Sequence, residues 1–224
     1  MNGKQAAGVY AAQQIENGMT VGLGTGSTVY YFLQALAEKV KQGLTFTGVA
    51  TSQKTIDLAH QFAIPMQSLN EVQTIDITVD GADEVSPELD GIKGGGGALL
   101  YEKLVAVSSK KKTWIVDSSK MVDQLGAFPL PIEVIPYAWK QLDRKFTERG
   151  WHPILRTEPN GAPFVTDAHH YILDLHLGRI ADPVKLAANL DHMSGVVEHG
   201  LFLGMTDQLI IGFPDGQVKA LQRI

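Results

Sequence analysis

The most chemically loaded stretch of the chain is residues 90–105, DGIKGGGGALLYEKLV, in which Lys93 and Glu102 stand on either side of four consecutive glycines. Glycine loses more conformational freedom on folding than any other residue and gives a core nothing to pack. Four in a row therefore mark a place where backbone must approach something that no side chain would admit. Lys93 supplies a cation, the glycines supply backbone N–H donors, and Glu102 falls about one turn into an expected helix over residues 98–107. A carboxylate there could reach a ligand held on the glycine loop. An ordinary surface helix would instead leave Glu102 and Lys103 in water.

Three further polar loops carry the same kind of chemistry. Gly24, Thr25, Gly26, Ser27 and Thr28 follow an apolar run and open a helical pattern, an arrangement that cradles an anion on backbone amides and a helix N-terminus. The dinucleotide fingerprint G-x-G-x-x-G fails here because Ser27 stands where its last glycine belongs, and the Walker lysine is missing. A small phosphate ester suits such a loop better than a nucleotide. Asp80, Gly81, Ala82 and Asp83 follow another apolar run; paired carboxylates at that spacing can hold sugar hydroxyls, exchange protons or bind a divalent ion. Asp117, Ser118, Ser119 and Lys120 close a fourth run. The seven histidines show no metal-ligand spacing near these loops.

The loops need a scaffold, and the apolar pattern specifies one. Short buried strands are expected at residues 19–22, 46–50, 64–66, 75–79 and 113–116, with helices between them. Val29, Phe32, Leu33, Leu36, Ala37 and Val40 form one helical face, and Gly43 ends it. Thr51 and Ser52 are expected to cap a second helix reaching Phe62. This alternation implies an α/β fold with a doubly wound, mainly parallel, Rossmann-like sheet, whose ligands bind at the carboxyl ends of the strands. After the proline-punctuated Phe128, Pro129, Leu130 and Pro131, the order becomes strand (132–135), helix (138–149), strand (153–156), strand (171–177), helix (183–190), strand (196–203). That is the β-α-β-β-α-β order of a ferredoxin-like domain. Residues 208–212 and 217–221 read as a hairpin returning to the first domain. The expected organisation is thus 1–128 plus 204–224 as an α/β catalytic domain, with 129–203 inserted as a smaller ferredoxin-like α+β domain.

Composition excludes several classes. The formal charge is -5, and the largest basic cluster, Lys110, Lys111 and Lys112, reads as a solvated turn, so nucleic acid is not an expected partner. Cysteine is absent, which rules out disulfides and thiol chemistry and suits a reducing compartment. No window is long and apolar enough for a membrane span, and the start of the chain lacks a signal peptide's apolar run. A soluble, cytoplasmic, globular protein is expected.

Taken together, the loops resemble those of type A ribose-5-phosphate isomerase. The resemblance is carried by Thr25, Gly26, Ser27 and Thr28, by Asp80, Gly81, Ala82 and Asp83, by Lys93, Gly94, Gly95 and Gly96, by Glu102 and by Lys120, in the family's order and approximate spacing over nearly the whole chain. It implies interconversion of D-ribose 5-phosphate and D-ribulose 5-phosphate through an enediolate, in the non-oxidative branch of the pentose phosphate pathway. It further implies Glu102 as the proton-transferring base, with Asp80, Asp83 and Lys93 around the sugar in ring opening and intermediate stabilisation. Thr25, Gly26, Ser27, Thr28, Gly94, Gly95, Gly96 and Lys120 match substrate-binding positions, as do Gly81 and Ala82 within the aspartate loop. Lys4 lies where the family often has a lysine near the phosphate. The family works without metal or organic cofactor and is usually dimeric, so a homodimer indifferent to EDTA is expected.

Three other readings fit parts of the pattern. A sugar-phosphate deaminase or CoA-transferase-like enzyme could use the same scaffold, the latter with its glutamate as a covalent nucleophile. A non-catalytic sugar-phosphate sensor would need an output module such as a helix-turn-helix, and the residues before Met19 are too few for one. A Schiff-base role for Lys93 predicts trapping of substrate by borohydride.

Overall fold

The computed structural model describes residues 2–223. In chain order the elements begin α1 (Gly3–Ala12), β1 (Thr20–Leu23), α2 (Ser27–Lys41), β2 (Thr47–Ala50), α3 (Gln53–Gln61) and β3 (Ile75–Asp80). Next come β4 (Glu84–Val85), β5 (Gly91–Ile92), α4 (Leu99–Val107), β6 (Ser109–Asp117), β7 (Leu130–Val134), α5 (Trp139–Glu148) and β8 (Pro153–Leu155). The chain ends with β9 (Tyr171–Leu175), α6 (Pro183–Asp191), β10 (Val196–His199), β11 (Leu201–Phe202), β12 (Gln208–Gly212) and β13 (Val218–Gln222).

Local chemistry accounts for the helix ends. The side chains of Asn2, Ser52 and Asp182 accept the backbone N–H of Gln5, Thr55 and Lys185, each satisfying an amide that the first turn leaves without an intrahelical partner. Pro183 occupies the first turn of α6, where its missing donor costs nothing. At the other end of α2, Gly43 takes φ 103°, the left-handed conformation that stops a helix.

The chain divides into two compact units. One runs through Ala82, resumes at Tyr101–Met121 and takes in the segment from Gly204; the other comprises Asp83–Leu100 and Val122–Leu203. Among the described residues, the first unit holds a six-stranded sheet in the order β13-β12-β6-β3-β1-β2. Its neighbours are parallel except for the β12–β13 hairpin. β1 lies between β2 and β3, so the chain steps to one side of β1 and then to the other, the reversal at which doubly wound sheets bind ligands. Val29, Phe32, Leu33 and Leu36 of α2 are buried with Val21, Leu23, Ile77, Val79 and Ile115 of the sheet. Each such side chain contributes roughly 1.5–3 kcal/mol by leaving water.

Helix α1 approaches through small residues: Ala6, Ala7, Ala11 and Ala12 are buried. A methyl group on Gly8 would lie 2.7 Å from the backbone nitrogen of Phe32. Lys39 of α2 donates to the carbonyls of Ala12 and Ile15 (2.7 and 3.0 Å), which fixes where α1 ends. This close fit leaves Lys4, in the first turn of α1, at the carboxyl edge of the sheet.

The second unit carries an antiparallel sheet in the order β10-β7-β9-β8. Numbered within the unit's β-α-β-β-α-β run, that order is 4-1-3-2, as the ferredoxin-like arrangement requires. Leu130, Ile132 and Val134 of β7, Leu142 and Phe146 of α5, and Leu173 and Leu175 of β9 form its core. A smaller sheet, β11-β5-β4, lies in the same unit.

Three local expectations need correction. Residues 64–66 form no strand; only an isolated bridge between Gly48 and Met66 survives, because Pro65 has no N–H to donate. The triplet Lys110, Lys111 and Lys112 is not a turn but lies within β6, with Lys111 opposite Ile77 of β3. Each charge finds a partner there: Lys110 pairs with Asp76 at 2.8 Å, Lys112 with Asp207 at 2.9 Å, and Lys111 donates to Gln14 at 3.1 Å. The single strand expected over 196–203 is split at Gly200 into β10 and β11, which join different sheets. A side chain at Gly200 would meet the carbonyl oxygen of Lys93 at 2.3 Å, so only glycine admits that crossing.

Candidate active site

The carboxyl ends of β1, β3 and β6 converge in the first unit, and the polar loops follow from them. Gly24 continues the ladder by donating its N–H to the Val79 carbonyl at 3.0 Å. Asp80, at the end of β3, turns one carboxylate oxygen on two amides, Thr25 N–H at 3.0 Å and Gly81 N–H at 2.7 Å. Asp80 is buried. These bonds fix the first loop and the aspartate loop to each other; a methyl on Gly24 would lie 2.0 Å from the Asp80 Oδ1 atom. The Thr25 hydroxyl enters a cluster with Thr51, Ser52 and Thr55 at 2.8, 2.7 and 3.1 Å. Thr55 in turn donates to the Gly24 carbonyl at 2.8 Å. Hydroxyls from the start of α3 therefore brace the loop from behind.

Gly26 adopts φ 128° and precedes α2 without a side-chain cap, so the amides of the first turn and the positive end of a 15-residue helix face outward. Ser27 begins that turn and Thr28 is buried within it. An open cleft of about 740 Å³ adjoins this end and is lined by Lys4, Ser27, Tyr31, Asp117, Ser119 and Lys120 among others. Lys4 Nζ lies 2.9 Å from Ser27 Oγ. Asp117 accepts both the hydroxyl and the N–H of Ser119. Burial pushes the Asp117 carboxyl upward, but the Ser119 bonds and the charges of Lys4 and Lys120 outweigh it and hold the group below the usual range. Two ammonium groups beside a helix N-terminus give the cleft the chemistry of an anion site.

Glu102 lies in α4 and is only 4% exposed, so it is not the solvated residue of an ordinary surface helix; Lys103 beside it is half-buried. Gly81 and Ala82 continue the turn from Asp80 and are half-buried.

The other sequence-selected residues belong to the second unit. Lys93 follows β5, is 2% exposed, donates its backbone N–H to Gly200 at 2.9 Å, and holds its ammonium 5.2 Å from the centre of the Phe202 ring. Asp83 anchors its own backbone on the Ile92 carbonyl at 2.8 Å and accepts the Gly95 N–H at 2.8 Å. Asp80 and Asp83 thus hold different amides despite their closeness in sequence. A methyl on Gly95 would collide with the Asp83 carboxylate at 2.7 Å, and Gly97, at φ 79°, has the Phe164 ring 2.4 Å from where a methyl would go. Gly95 and Gly96 are the exposed members of the loop.

The neighbours of this loop include three residues that sequence reasoning did not select. Glu84 accepts the N–H groups of Gly126 and Phe128 at 2.7 and 2.6 Å. Arg156 contacts the carbonyls of Gly94 and Gly95. Glu133 of β7 is almost fully buried, with Oε1 accepting from Thr166 at 2.8 Å and lying 3.0 Å from His170 Nδ1. A lone charged residue within an otherwise apolar strand was the one available signal for Glu133; Arg156 offered none.

Comparison with known proteins gives one answer. Residues 47–216 match the family model described as ribose 5-phosphate isomerase A (phosphoriboisomerase A). Ribose-5-phosphate isomerase A of Enterococcus faecalis is 53% identical over 217 residues, 96% of each chain. The namesake from Bifidobacterium adolescentis is 53% identical over 214 residues, covering 95% of this chain and 92% of that protein. Among solved structures, a D-ribose-5-phosphate isomerase in complex with phospho-erythronic acid superposes with a TM-score of 0.94 at 40% identity, covering 98% of this chain and 97% of the other. Ribose 5-phosphate isomerase from Plasmodium falciparum gives 0.93 at 35% identity with the same coverage.

Proposed function

Because the chain belongs to the ribose 5-phosphate isomerase A family, we infer that it interconverts D-ribose 5-phosphate and D-ribulose 5-phosphate, a step of the non-oxidative pentose phosphate pathway. The observation that carries this reading is likeness over nearly the full length of both chains, in sequence and in fold.

The site chemistry extends the reading to individual residues. Glu102 removes the proton from C2 of the open-chain aldose, and charge passes to the C1 oxygen to give an enediolate. Glu102 then returns the proton to C1, the hydroxyl proton of C2 moves to the C1 oxygen, and the ketose results. Burial of Glu102 supports this role, since a carboxylate shielded from water keeps the proton it has taken. Lys93 and the amides of Gly94 and Gly96 stabilise the charge on the two oxygens, while the Gly95 N–H holds the Asp83 carboxylate in place. Asp80 and Asp83 serve ring opening and hold the sugar hydroxyls, with Gly81 and Ala82 shaping the turn between them. The phosphate sits on Ser27, Thr28 and Lys120 with Lys4 beside them, while Thr25 and Gly26 present backbone. Lysine charges and a helix N-terminus around one cleft support that placement. Binding energy from this remote group positions the reacting carbons.

The expected working form is a cytoplasmic homodimer. Among the described residues no helix is long and apolar enough to cross a membrane. The test of the activity is incubation with ribose 5-phosphate alone. Appearance of a pentulose phosphate without added metal or nucleotide supports the assignment, and its absence refutes it. Light scattering on the same sample reads the mass, for which a dimer predicts twice 24.3 kDa.

A further inference from the structure

Arg156 follows the last residue of β8 and spends its donors in two directions. Nε and Nη2 form a fork on the two oxygens of Asp174 in β9, at 2.9 and 2.5 Å. Nη1 turns the other way, to the carbonyls of Gly94 and Gly95 at 2.9 and 3.2 Å. The guanidinium also lies over the Phe164 ring, 5.8 Å from its centre, and the edge of that ring fills the space a side chain at Gly97 would need. The ion pair is mostly removed from solvent, at 16% and 17% side-chain exposure. For folding alone, such a pair has little advantage over apolar residues of the same volume.

Peptide geometry gives the arrangement a consequence. The backbone has no cis bonds among the described residues, so each carbonyl points opposite to the N–H of the next residue. With the Gly94 carbonyl turned to Arg156, the Gly95 N–H faces the other way, where the Asp83 carboxylate accepts it at 2.8 Å. With the Gly95 carbonyl turned likewise, the Gly96 N–H also faces away from the arginine. One guanidinium therefore sets two successive peptide planes, and glycines, which tolerate many orientations, gain a single one.

We propose that Arg156, seated by Asp174 and Phe164, is a positioning residue for the isomerase reaction that orients the glycine-loop amides, and through Gly95 the Asp83 carboxylate, toward the enediolate. The proposal rests on the isomerase reading above. It differs from a purely structural role in what it moves: stabilisation of the charged intermediate, not attachment of the phosphate. Misplacing a catalytic group by about 1 Å costs on the order of 100-fold, and losing one oxyanion donor costs a comparable factor.

The full chain carrying Arg156→Gln is compared with wild type in four readouts: kcat and KM for ribose 5-phosphate, inhibition by phospho-erythronic acid, and inhibition by inorganic phosphate. Phospho-erythronic acid has a carboxylate in place of the reacting carbons and so reports on the charge-stabilising groups. The expected result is a kcat lower by about 10- to 100-fold. The KM should stay within about threefold, phospho-erythronic acid should weaken in step with kcat, and phosphate inhibition should not change. Arg156→Lys, which keeps the charge but cannot span Asp174 and two carbonyls, is the measurement should Arg156→Gln not fold, with the same expectations. A folded variant with wild-type kcat overturns the proposal, as does one that loses phosphate and phospho-erythronic acid equally. A wild-type chain inert toward ribose 5-phosphate overturns the isomerase reading and this proposal with it; an active wild type isolates the test to Arg156.

Discussion

Replacing Gly24 with alanine should damage both stability and turnover, because the added methyl has nowhere to go. It would sit 2.0, 2.4 and 2.6 Å from Oδ1, Cγ and Cα of Asp80. The carboxylate cannot swing aside without leaving the N–H groups of Thr25 and Gly81, and Cα belongs to the β3 backbone. Bringing 2.6 Å to an ordinary 3.4 Å contact requires the two backbones to part by about 0.8 Å at the end of a ladder that pairs Leu23 with Val79. Overpacking of this kind costs about 1–3 kcal/mol, and each strained hydrogen bond adds about 0.5–1.5 kcal/mol. A loss of roughly 2–6 kcal/mol is expected in urea unfolding. Displacing Asp80 by nearly 1 Å should also lower kcat/KM on ribose 5-phosphate by on the order of 100-fold. Gly81→Ala is the control for stability: its methyl would meet only the Thr25 carbonyl, at 3.6 Å, and should shift stability by no more than about 0.5 kcal/mol. Wild-type stability and turnover in Gly24→Ala, or equal destabilisation by both substitutions, refutes the packing argument.

Lys120→Ala should raise KM for ribose 5-phosphate on the order of 10- to 100-fold, the worth of a charge-assisted hydrogen bond, while leaving the slow conversion of unphosphorylated ribose unaltered; equal losses on both sugars contradict phosphate contact. Glu133 gives a pH prediction. Burial raises its carboxyl above the value of 4.5, although Thr166 and His170 pull the other way, so the folded state holds the proton more tightly than the unfolded chain. Unfolding then releases a proton between 4.5 and the folded value, and raising the pH through that window favours unfolding. The unfolding midpoint of the wild type should fall relative to Glu133→Gln as pH rises from 4.5 and level off above; a gap that widens on acidification is the wrong sign. Activity should survive EDTA, and strong inhibition would return the paired aspartates to the status of metal ligands.

Much of the scaffold was legible because its signals are local. The apolar stripe from Val29 to Val40 could form only one kind of helix, Gly43 marks its end, and alternating strands and helices before residue 120 imply a parallel sheet. What escaped depends on pairing across the chain. The strand expected at residues 64–66 has the composition of a strand but lacks the donor that Pro65 cannot supply. Lys110, Lys111 and Lys112 look like a turn until Asp76, Gln14 and Asp207 arrive from distant segments. The sheet formed by β4, β5 and β11 rests on two-residue strands, too short to carry a pattern. At the site, residue types in loops were readable since glycines, hydroxyls and carboxylates declare their chemistry. Residues that act on the backbone of those loops were not: Arg156 lies more than sixty positions from the carbonyls it holds, and nothing nearby in sequence announces it. Lys4 was suggested by resemblance alone, and its distance of 2.9 Å from Ser27 follows from the small-residue face of α1.

Turnover of Glu102→Gln on ribose 5-phosphate tests the central claim most directly, because the substitution keeps the size of the side chain and removes only its capacity to take a proton. The account predicts that kcat falls by on the order of 10²–10⁴ while substrate affinity stays within a few-fold. A variant that converts ribose 5-phosphate at the wild-type rate would contradict it.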